Sequence, residues 1–196
     1  MKEIKFNNSS WPFKLDESCM YAYWNNAFSK EECLNIIDIA KNKGLIEGKT
    51  FGEEKNDIRN SKISWLFPND DMDWVFRRCT DIINDLNDRF FKFDLYGFNE
   101  GFQFTNYQAP GGKYGRHVDR GSKSVIRKLS LSIQLTDPSE YEGGELFLYE
   151  NDEGIIMDKT QGTLILFPSY TLHEVMPVTK GERNSLVSWI TGPAFK

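Results

Sequence analysis

Histidine is the scarcest chemistry-bearing residue in this chain: among 196 residues only His117 and His173 carry an imidazole. A site that needs three or more histidines is thereby excluded. Cysteine is nearly as rare. Cys19, Cys33 and Cys79 are odd in number and widely spaced, so they build neither a disulfide framework nor a zinc knuckle. Free thiols in a reducing compartment are the simple reading. No apolar run approaches the roughly 18 residues of a spanning helix, and residues 1–8 contain no apolar signal core. The expectation is a cytoplasmic protein that does not enter a membrane. An excess of positive charge is also missing. The net charge is −5, so nucleic acid is not an expected partner. Internal repeats, low-complexity segments and interdomain linkers are absent as well.

What remains is a chain able to bury a core. Hydrophobic residues make up 39% and aromatics 14%, which rules out global disorder. The length suits one domain over residues 1–196, with a helical and strand support region over roughly 1–95 and a strand-rich core over roughly 96–193. A monomer or weak dimer is expected.

The front half carries two helix signatures. Ser29 and Glu32 read as a capping box, Leu34, Ile36, Ile37 and Ala40 follow at near-helical spacing, and Gly44 supplies a stop. Two strands are expected within residues 45–66, the second over Lys62–Leu66. Val75, Cys79, Ile82, Ile83, Leu86 and Phe90 form the apolar stripe of a second helix. Trp65 and Trp74 are assigned to the core.

From residue 95 the period shifts to two. Gln103, Thr105 and Tyr107 share one face, opposite Phe102 and Phe104. Leu129, Leu131 and Ile133 share a face, opposite Ser130, Ser132 and Gln134. Arg183, Ser185, Val187 and Trp189 alternate with Leu186 and Ile190. Successive strand side chains point to opposite faces, so this is a sheet with one apolar and one polar side. An antiparallel sheet wet on one face would satisfy the pattern. The two amphipathic helices, however, need a sheet to lie on, and the polar faces must then look into something else. The fold class expected is α+β, mainly β: a double-stranded β-helix, or jelly-roll barrel, with the N-terminal helices packed on one sheet.

His117 and Asp119 stand at i and i+2. On an extended strand they share a face about 6–7 Å apart, close enough to converge on one ion. Taken alone, such a pair is more often solvated than ligating. His173 returns later on the apolar stretch Leu172–Val175. Two histidines and a carboxylate on one face of a metal leave three positions open, the pattern of non-haem Fe(II) oxygenases. Arg183 follows on the same face as Ser185, Val187 and Trp189. A guanidinium beside a hydroxyl and apolar walls suits a buried carboxylate. The distal carboxylate of 2-oxoglutarate is such a group.

Tyr107, Gly111, Tyr114, His117 and Asp119, then Lys128–Leu135, Tyr141–Leu146, Phe167-Pro168-Ser169 and His173-Glu174-Val175 through Arg183, resemble the prolyl 4-hydroxylase-like branch of the Fe(II)/2-oxoglutarate dioxygenases. The resemblance covers roughly residues 100–192. It implies that His117, Asp119 and His173 bind iron, that Arg183 binds the distal 2-oxoglutarate carboxylate, and that Tyr107 assists. Val175 and Trp189 are placed as in hypoxia-type prolyl hydroxylases. Where those enzymes carry a tyrosine after the first two ligands, this chain has Gln134, so recognition shifts toward Tyr107 or Ser185. The implied cofactors are Fe(II), 2-oxoglutarate and O2, with ascorbate as a further possibility. The implied reaction is hydroxylation of a C–H bond, with succinate and CO2 released. The implied substrate is a prolyl residue of a peptide or protein.

Several alternatives stay open. A small-molecule oxygenase acting on a free amino acid would use the same site. A non-catalytic binding module is possible on this scaffold, although the intact triad and Arg183 argue against it. A zinc hydrolase would leave Arg183 unexplained, and a cupin isomerase needs more histidines. A nucleic-acid dealkylase of the same superfamily would carry a second arginine where this chain has Trp189. Two weaker readings complete the set. Residues 49–60, nearly all polar, are expected to form a lid beside the active-site mouth. Arg116, Arg120, Lys123, Arg127 and Lys128 form either a solvated loop face or a mouth favouring an acidic substrate.

Overall fold

Ser29 decides where the first helix begins. Its hydroxyl accepts from the Glu32 backbone N–H at 3.3 Å, and the Glu32 carboxylate accepts from the Ser29 N–H at 2.8 Å. Two otherwise orphaned donors are satisfied at once, an arrangement worth on the order of 1 kcal/mol. A computed structural model describes residues 19–48, 58–69, 71–119 and 125–195. Helix α1 runs over Lys30–Lys43 and ends at Gly44, whose φ of 100° is one that side-chain-bearing residues rarely adopt. It buries Cys33, Ile36, Ile37 and Ala40. Leu34, expected on that stripe, is exposed, and Cys33 takes the inward position instead. Helix α2 covers Asp73–Leu86 and buries Val75, Cys79, Ile82, Ile83 and Leu86 as the spacing predicts. It passes into a π-helical turn over Asn87–Phe91, which leaves Phe90 only half-buried.

The strands in chain order are β1 (Ala22–Trp24), β2 (Ile46–Glu47), β3 (Arg59–Asn60), β4 (Lys62–Leu66), β5 (Gly97–Phe98), β6 (Phe102–Gln108), β7 (Gly112–His117), β8 (Arg127–Gln134), β9 (Tyr141–Gly143), β10 (Leu146–Tyr149), β11 (Ile155–Ile156), β12 (Leu164–Pro168) and β13 (Leu172–Thr191). They pair antiparallel. One sheet runs β1-β12-β8-β13-β6-β4-β2, with β5 also against β13. The second is assembled from β11, β10, β7, β3 and β9 around the first half of β13.

β13 belongs to both sheets. Residues 172–181 pair with β10, β7 and β9, and residues 182–191 pair with β6 and β8. Gly181 marks the change, with φ at 73° and no room for a Cβ against the Glu140 carbonyl. The sequence around Thr179–Glu182 reads as a turn. In the structure it is a corner in one continuous strand.

The alternation sorts as expected. Leu129, Leu131, Ile133, Leu186, Ile190, Phe102 and Phe104 face α1 and α2 and make one apolar core with them. The opposite faces of the same strands look into the space between the sheets. Trp74 packs on the helical core, its ring 5.8 Å from Phe28. Trp65 does not belong to that core: it stands in the wall of the inter-sheet cavity, 6.2 Å from the ring of Trp189. Its place on β4 opposite Gln103 puts it on the polar side of the sheet. Among the described residues no helix is long and apolar enough to cross a membrane.

Candidate metal and cosubstrate site

β7 and β13 pair so that His117 and His173 are direct cross-strand partners, and their ring centroids are 4.1 Å apart. Asp119 follows two residues beyond His117 and completes the cluster. One donor atom from each residue lies within 4.8 Å of the others. The Asp119 carboxylate sits 3.5 Å from Nε2 of His117 through one oxygen and 3.5 Å from Nε2 of His173 through the other.

The supporting bonds aim these donors inward. Nδ1 of His117 is 2.8 Å from the Gly115 carbonyl, and Nδ1 of His173 is 2.9 Å from the Thr171 carbonyl. A carbonyl can only accept, so each Nδ1 carries a proton and each Nε2 is turned toward the Asp119 carboxylate, where it can act as a ligand once it carries none. Ser130 donates to the Asp119 carboxylate at 2.8 Å, and the Asp119 N–H donates to the Ser169 carbonyl at 3.0 Å. Such outer bonds hold metal ligands in place. Burial alone would raise the Asp119 carboxyl. The His173 and His117 imidazoles and the nearby Trp189 indole outweigh it and hold it well below the ordinary carboxylate range. Burial lowers His173, against the pull of Asp119, which favours the neutral imidazole that can coordinate.

The cluster opens into a cavity of about 840 Å³ between the sheets. Arg183 lies in it and is 1% exposed. It donates to the Gln134 side-chain oxygen at 2.9 Å and to the Ser185 hydroxyl at 3.5 Å, while its Nε–H has no partner. Its guanidinium lies 5.4 Å from the centroid of the Tyr107 ring. No carboxylate among the described residues pairs with it. A buried cation without a counter-charge is costly, so the geometry calls for an anion in this cavity.

Eight of the nine residues singled out from sequence line the cavity: His117, Asp119, His173, Arg183, Tyr107, Ser185, Val175 and Trp189. Gln134 does not. It stands beside Arg183 and orients it, because its oxygen is already taken by the guanidinium. The Tyr107 phenol is pushed up by burial and is neutral at ordinary pH.

Other readings change. Arg127 is clamped by Glu100 at 2.7 and 2.5 Å and stacks on Trp189 at 3.6 Å, while Arg116 pairs with Glu174 at 3.3 Å. Arg120 and Lys123 lie outside the described residues. The basic run is therefore no single free patch. Residues 49–57 of the expected lid also lie outside the described residues; Arg59 and Asn60 at its end form β3, paired with β7. Arg59 itself was not legible as a site residue. A lone arginine after a polar stretch carries no periodic signal, yet it is 8% exposed and lines the cavity.

Residues 102–191 match the 2OG-Fe(II) oxygenase superfamily. That match covers 90 of the 196 residues, the strand-rich part that carries the cluster and Arg183. Among curated relatives, a PKHD-type hydroxylase of Aliarcobacter butzleri is 40% identical over 94 residues, covering 44% of this chain and 42% of that protein. A PKHD-type hydroxylase of Prochlorococcus marinus is 44% identical over 91 residues, covering 46% and 41%. The match thus spans about two fifths of those relatives' length. Among solved structures, a Trichoplax adhaerens prolyl hydroxylase in complex with a hypoxia inducible factor peptide fragment superposes with a TM-score of 0.74. It is 22% identical and covers 88% of this chain and 84% of that one. A Pseudomonas putida prolyl-4-hydroxylase gives 0.70 at 20% identity, covering 89% and 94%. At that identity these two likenesses establish the jelly-roll fold.

Proposed function

We propose that the chain hydroxylates a C–H bond in an Fe(II)- and 2-oxoglutarate-dependent reaction, with a prolyl residue of a peptide or protein as substrate and succinate and CO2 as co-products. The observation that carries this reading is Arg183: a fully buried guanidinium without a carboxylate partner among the described residues, in the cavity that also holds the His117–Asp119–His173 cluster. The match of residues 102–191 to the 2OG-Fe(II) oxygenase superfamily and the prolyl hydroxylases that share the fold support it.

The donor set fits the ion. Two neutral imidazoles and one carboxylate would hold Fe(II) on one face and leave the other open. When bound, Fe(II) and 2-oxoglutarate supply the activation of dioxygen. The chain supplies position. His117 and His173 keep their Nε2 atoms aimed inward through the Gly115 and Thr171 carbonyls. Ser130 fixes the Asp119 carboxylate. Arg183, braced by Gln134, would take the distal carboxylate of 2-oxoglutarate in a charge-assisted bond, with Ser185 and Tyr107 beside it. Val175, Leu146, Phe167 and Trp189 line the cavity with apolar or aromatic surface that excludes water from the reacting carbon. No proton-transfer triad is required.

The test is a pair of measurements on the purified chain. Metal titration should show one Fe(II) site, and 2-oxoglutarate should be converted to succinate even without added substrate, slowly. His117→Ala should lose both. No third histidine exists to replace the ligand. Undiminished succinate formation by His117→Ala would remove the triad assignment. Mass spectrometry of treated peptides, read for the addition of one oxygen on proline, tests the substrate.

A further inference from the structure

The cavity holds a second buried arginine that the cosubstrate does not account for. Arg59 donates through Nε to the Ser61 hydroxyl at 2.8 Å and through Nη2 to the Gln103 side-chain oxygen at 2.8 Å. Its guanidinium rests 4.6 Å from the centroid of the Tyr114 ring, which in turn stacks on the His117 imidazole at 3.6 Å. Every partner named is neutral. No carboxylate among the described residues lies within ion-pair distance of Arg59, and its Nη1 donates to none of them. By contrast Arg127, on the same cavity wall, is fully clamped by Glu100. Among the described residues, two of the three cavity arginines therefore have no carboxylate partner.

The two arginines address different positions along β6. Arg183 is paired across β13 and β6 with Tyr107, whereas Arg59 reaches Gln103 on the same strand. Those two β6 residues are separated by about 13 Å of strand at ~3.3 Å per residue. A five-carbon diacid with its keto-acid end on the metal and its far end on Arg183 has no carboxylate left for Arg59. The burial that raises the Tyr107 phenol is opposed by the positive charge of both arginines, so the two cations share one low-dielectric space.

We propose that Arg59 is a specificity-determining residue that receives a carboxylate of the substrate, held at the Tyr114 side of the His117–Asp119–His173 cluster. This deepens the reading given above and rests on it. It assigns the substrate class: a prolyl or related substrate with a carboxylate near the carbon to be hydroxylated. That carboxylate could be the free α-carboxylate of a small amino acid or chain terminus, or an acidic side chain next to the target. Ser61 and Gln103 are short neutral acceptors that fix the guanidinium plane without spending its charge, and the Tyr114 ring backs it.

The test uses the full chain loaded with Zn(II) in place of Fe(II) and saturated with N-oxalylglycine, so that the metal and Arg183 are occupied and no turnover occurs. Two matched pairs of probes are titrated by calorimetry: N-acetylproline against N-acetylprolinamide, and a blocked hexapeptide with Pro-Glu at its centre against the same peptide with Pro-Gln. The Arg59 Nε–H signal is followed by NMR, and glutarate serves as a plain carboxylate control. In one pair the acid should bind roughly 10–100-fold more tightly than its amide, the range of a charge-assisted bond, and should shift the Arg59 signal. The pair that discriminates identifies the source of the carboxylate. Arg59→Met should erase the discrimination and Arg59→Lys should restore part of it. Gln103→Glu, nearly isosteric, gives Arg59 an internal carboxylate and should erase it as well, even if Arg59→Met folds poorly.

Equal affinity within both pairs, or discrimination that survives Gln103→Glu, overturns the proposal. So does a shift of the Arg59 signal that N-oxalylglycine alone brings to saturation, because the cosubstrate would then be its anion. If neither prolyl pair binds while glutarate still shifts Arg59, the prolyl reading falls and the carboxylate site stands.

Discussion

β8 and β13 each present two unlike faces. On one side Leu129, Leu131, Ile133, Leu186 and Ile190 are sealed under α1 and α2. On the other, Ser132, Arg183, Ser185 and Trp189 line the cavity, and Ser130 donates to Asp119 at its edge. Apolar side chains on the helical side need no partner beyond close packing. Each polar side chain on the cavity side needs a donor, an acceptor or a ligand. Of the five unsatisfied buried side-chain atoms among the described residues, three, Arg183 Nε, Trp189 Nε1 and Tyr141 Oη, belong to residues in or next to the cavity, while Asn106 Oδ1 and Thr163 Oγ1 do not. The lesson is that one set of strands can hold a rigid packed wall and a surface left incomplete for a ligand, provided the alternation is strict.

That division can be broken first on the packed side. Phe102 is fully buried, with its ring 4.5 Å from Phe76 and 5.3 Å from Phe98. Phe102→Ala should cost about 3–5 kcal/mol of stability, read by denaturant unfolding. Below the shifted midpoint, metal affinity should stay near that of the unaltered protein. A large loss of affinity in the folded variant would show that the two faces are not separable. On the cavity side, Arg183→Leu should raise the 2-oxoglutarate requirement by an amount equivalent to about 2–5 kcal/mol, measured as succinate formed against cosubstrate concentration. Fe(II) binding should change little. An unaltered titration would place the cosubstrate elsewhere.

The smallest effect lies at the rim, where β13 changes sheets. Burial would raise Glu182, but bonds from Lys41, Asn184, Gln108 and Asn106 prevail and bring it down to about 2 from 4.5. A carboxyl lowered on folding adds stability that is complete above about pH 4.5 and is lost as pH falls toward about 2. Glu182 is part-exposed, so the contribution is modest. Glu182→Gln should flatten the acid limb of the melting temperature between those limits. Superimposable acid limbs would show that Glu182 contributes nothing there.

Much of this division was legible in the chain itself. A period of two is a direct geometric imprint of strand, so the inward and outward sets of β6, β8 and β13 could be assigned residue by residue. The metal cluster was legible because histidine is so rare that both copies had to be weighed together, and Arg183 because it shares the parity of Ser185 and Trp189. Arg59 was not, because β3 is two residues long and its partner β7 is remote in sequence, so only tertiary pairing brings it inward. Trp65 was misassigned for a related reason: an aromatic on a strand signals burial without saying which side it is buried on. Leu34 and Cys33 exchanged roles because helical spacing tolerates either neighbour at the edge of a stripe. The corner at Gly181 resembled a turn, since glycine with polar neighbours marks both.

The strand with that corner has a consequence for the order in which the molecule can be completed. Synthesis delivers residues 172–191 after all the other strands, yet this segment lies between β8 and β6 in the middle of its sheet. Until it arrives, both neighbours present open edges, exposed to the strand-to-strand sticking that such edges invite. Its contacts are also distant in sequence, which slows assembly. Its insertion closes the sheet and in the same event delivers His173 and Arg183. A chain cut before residue 172 would lose both together.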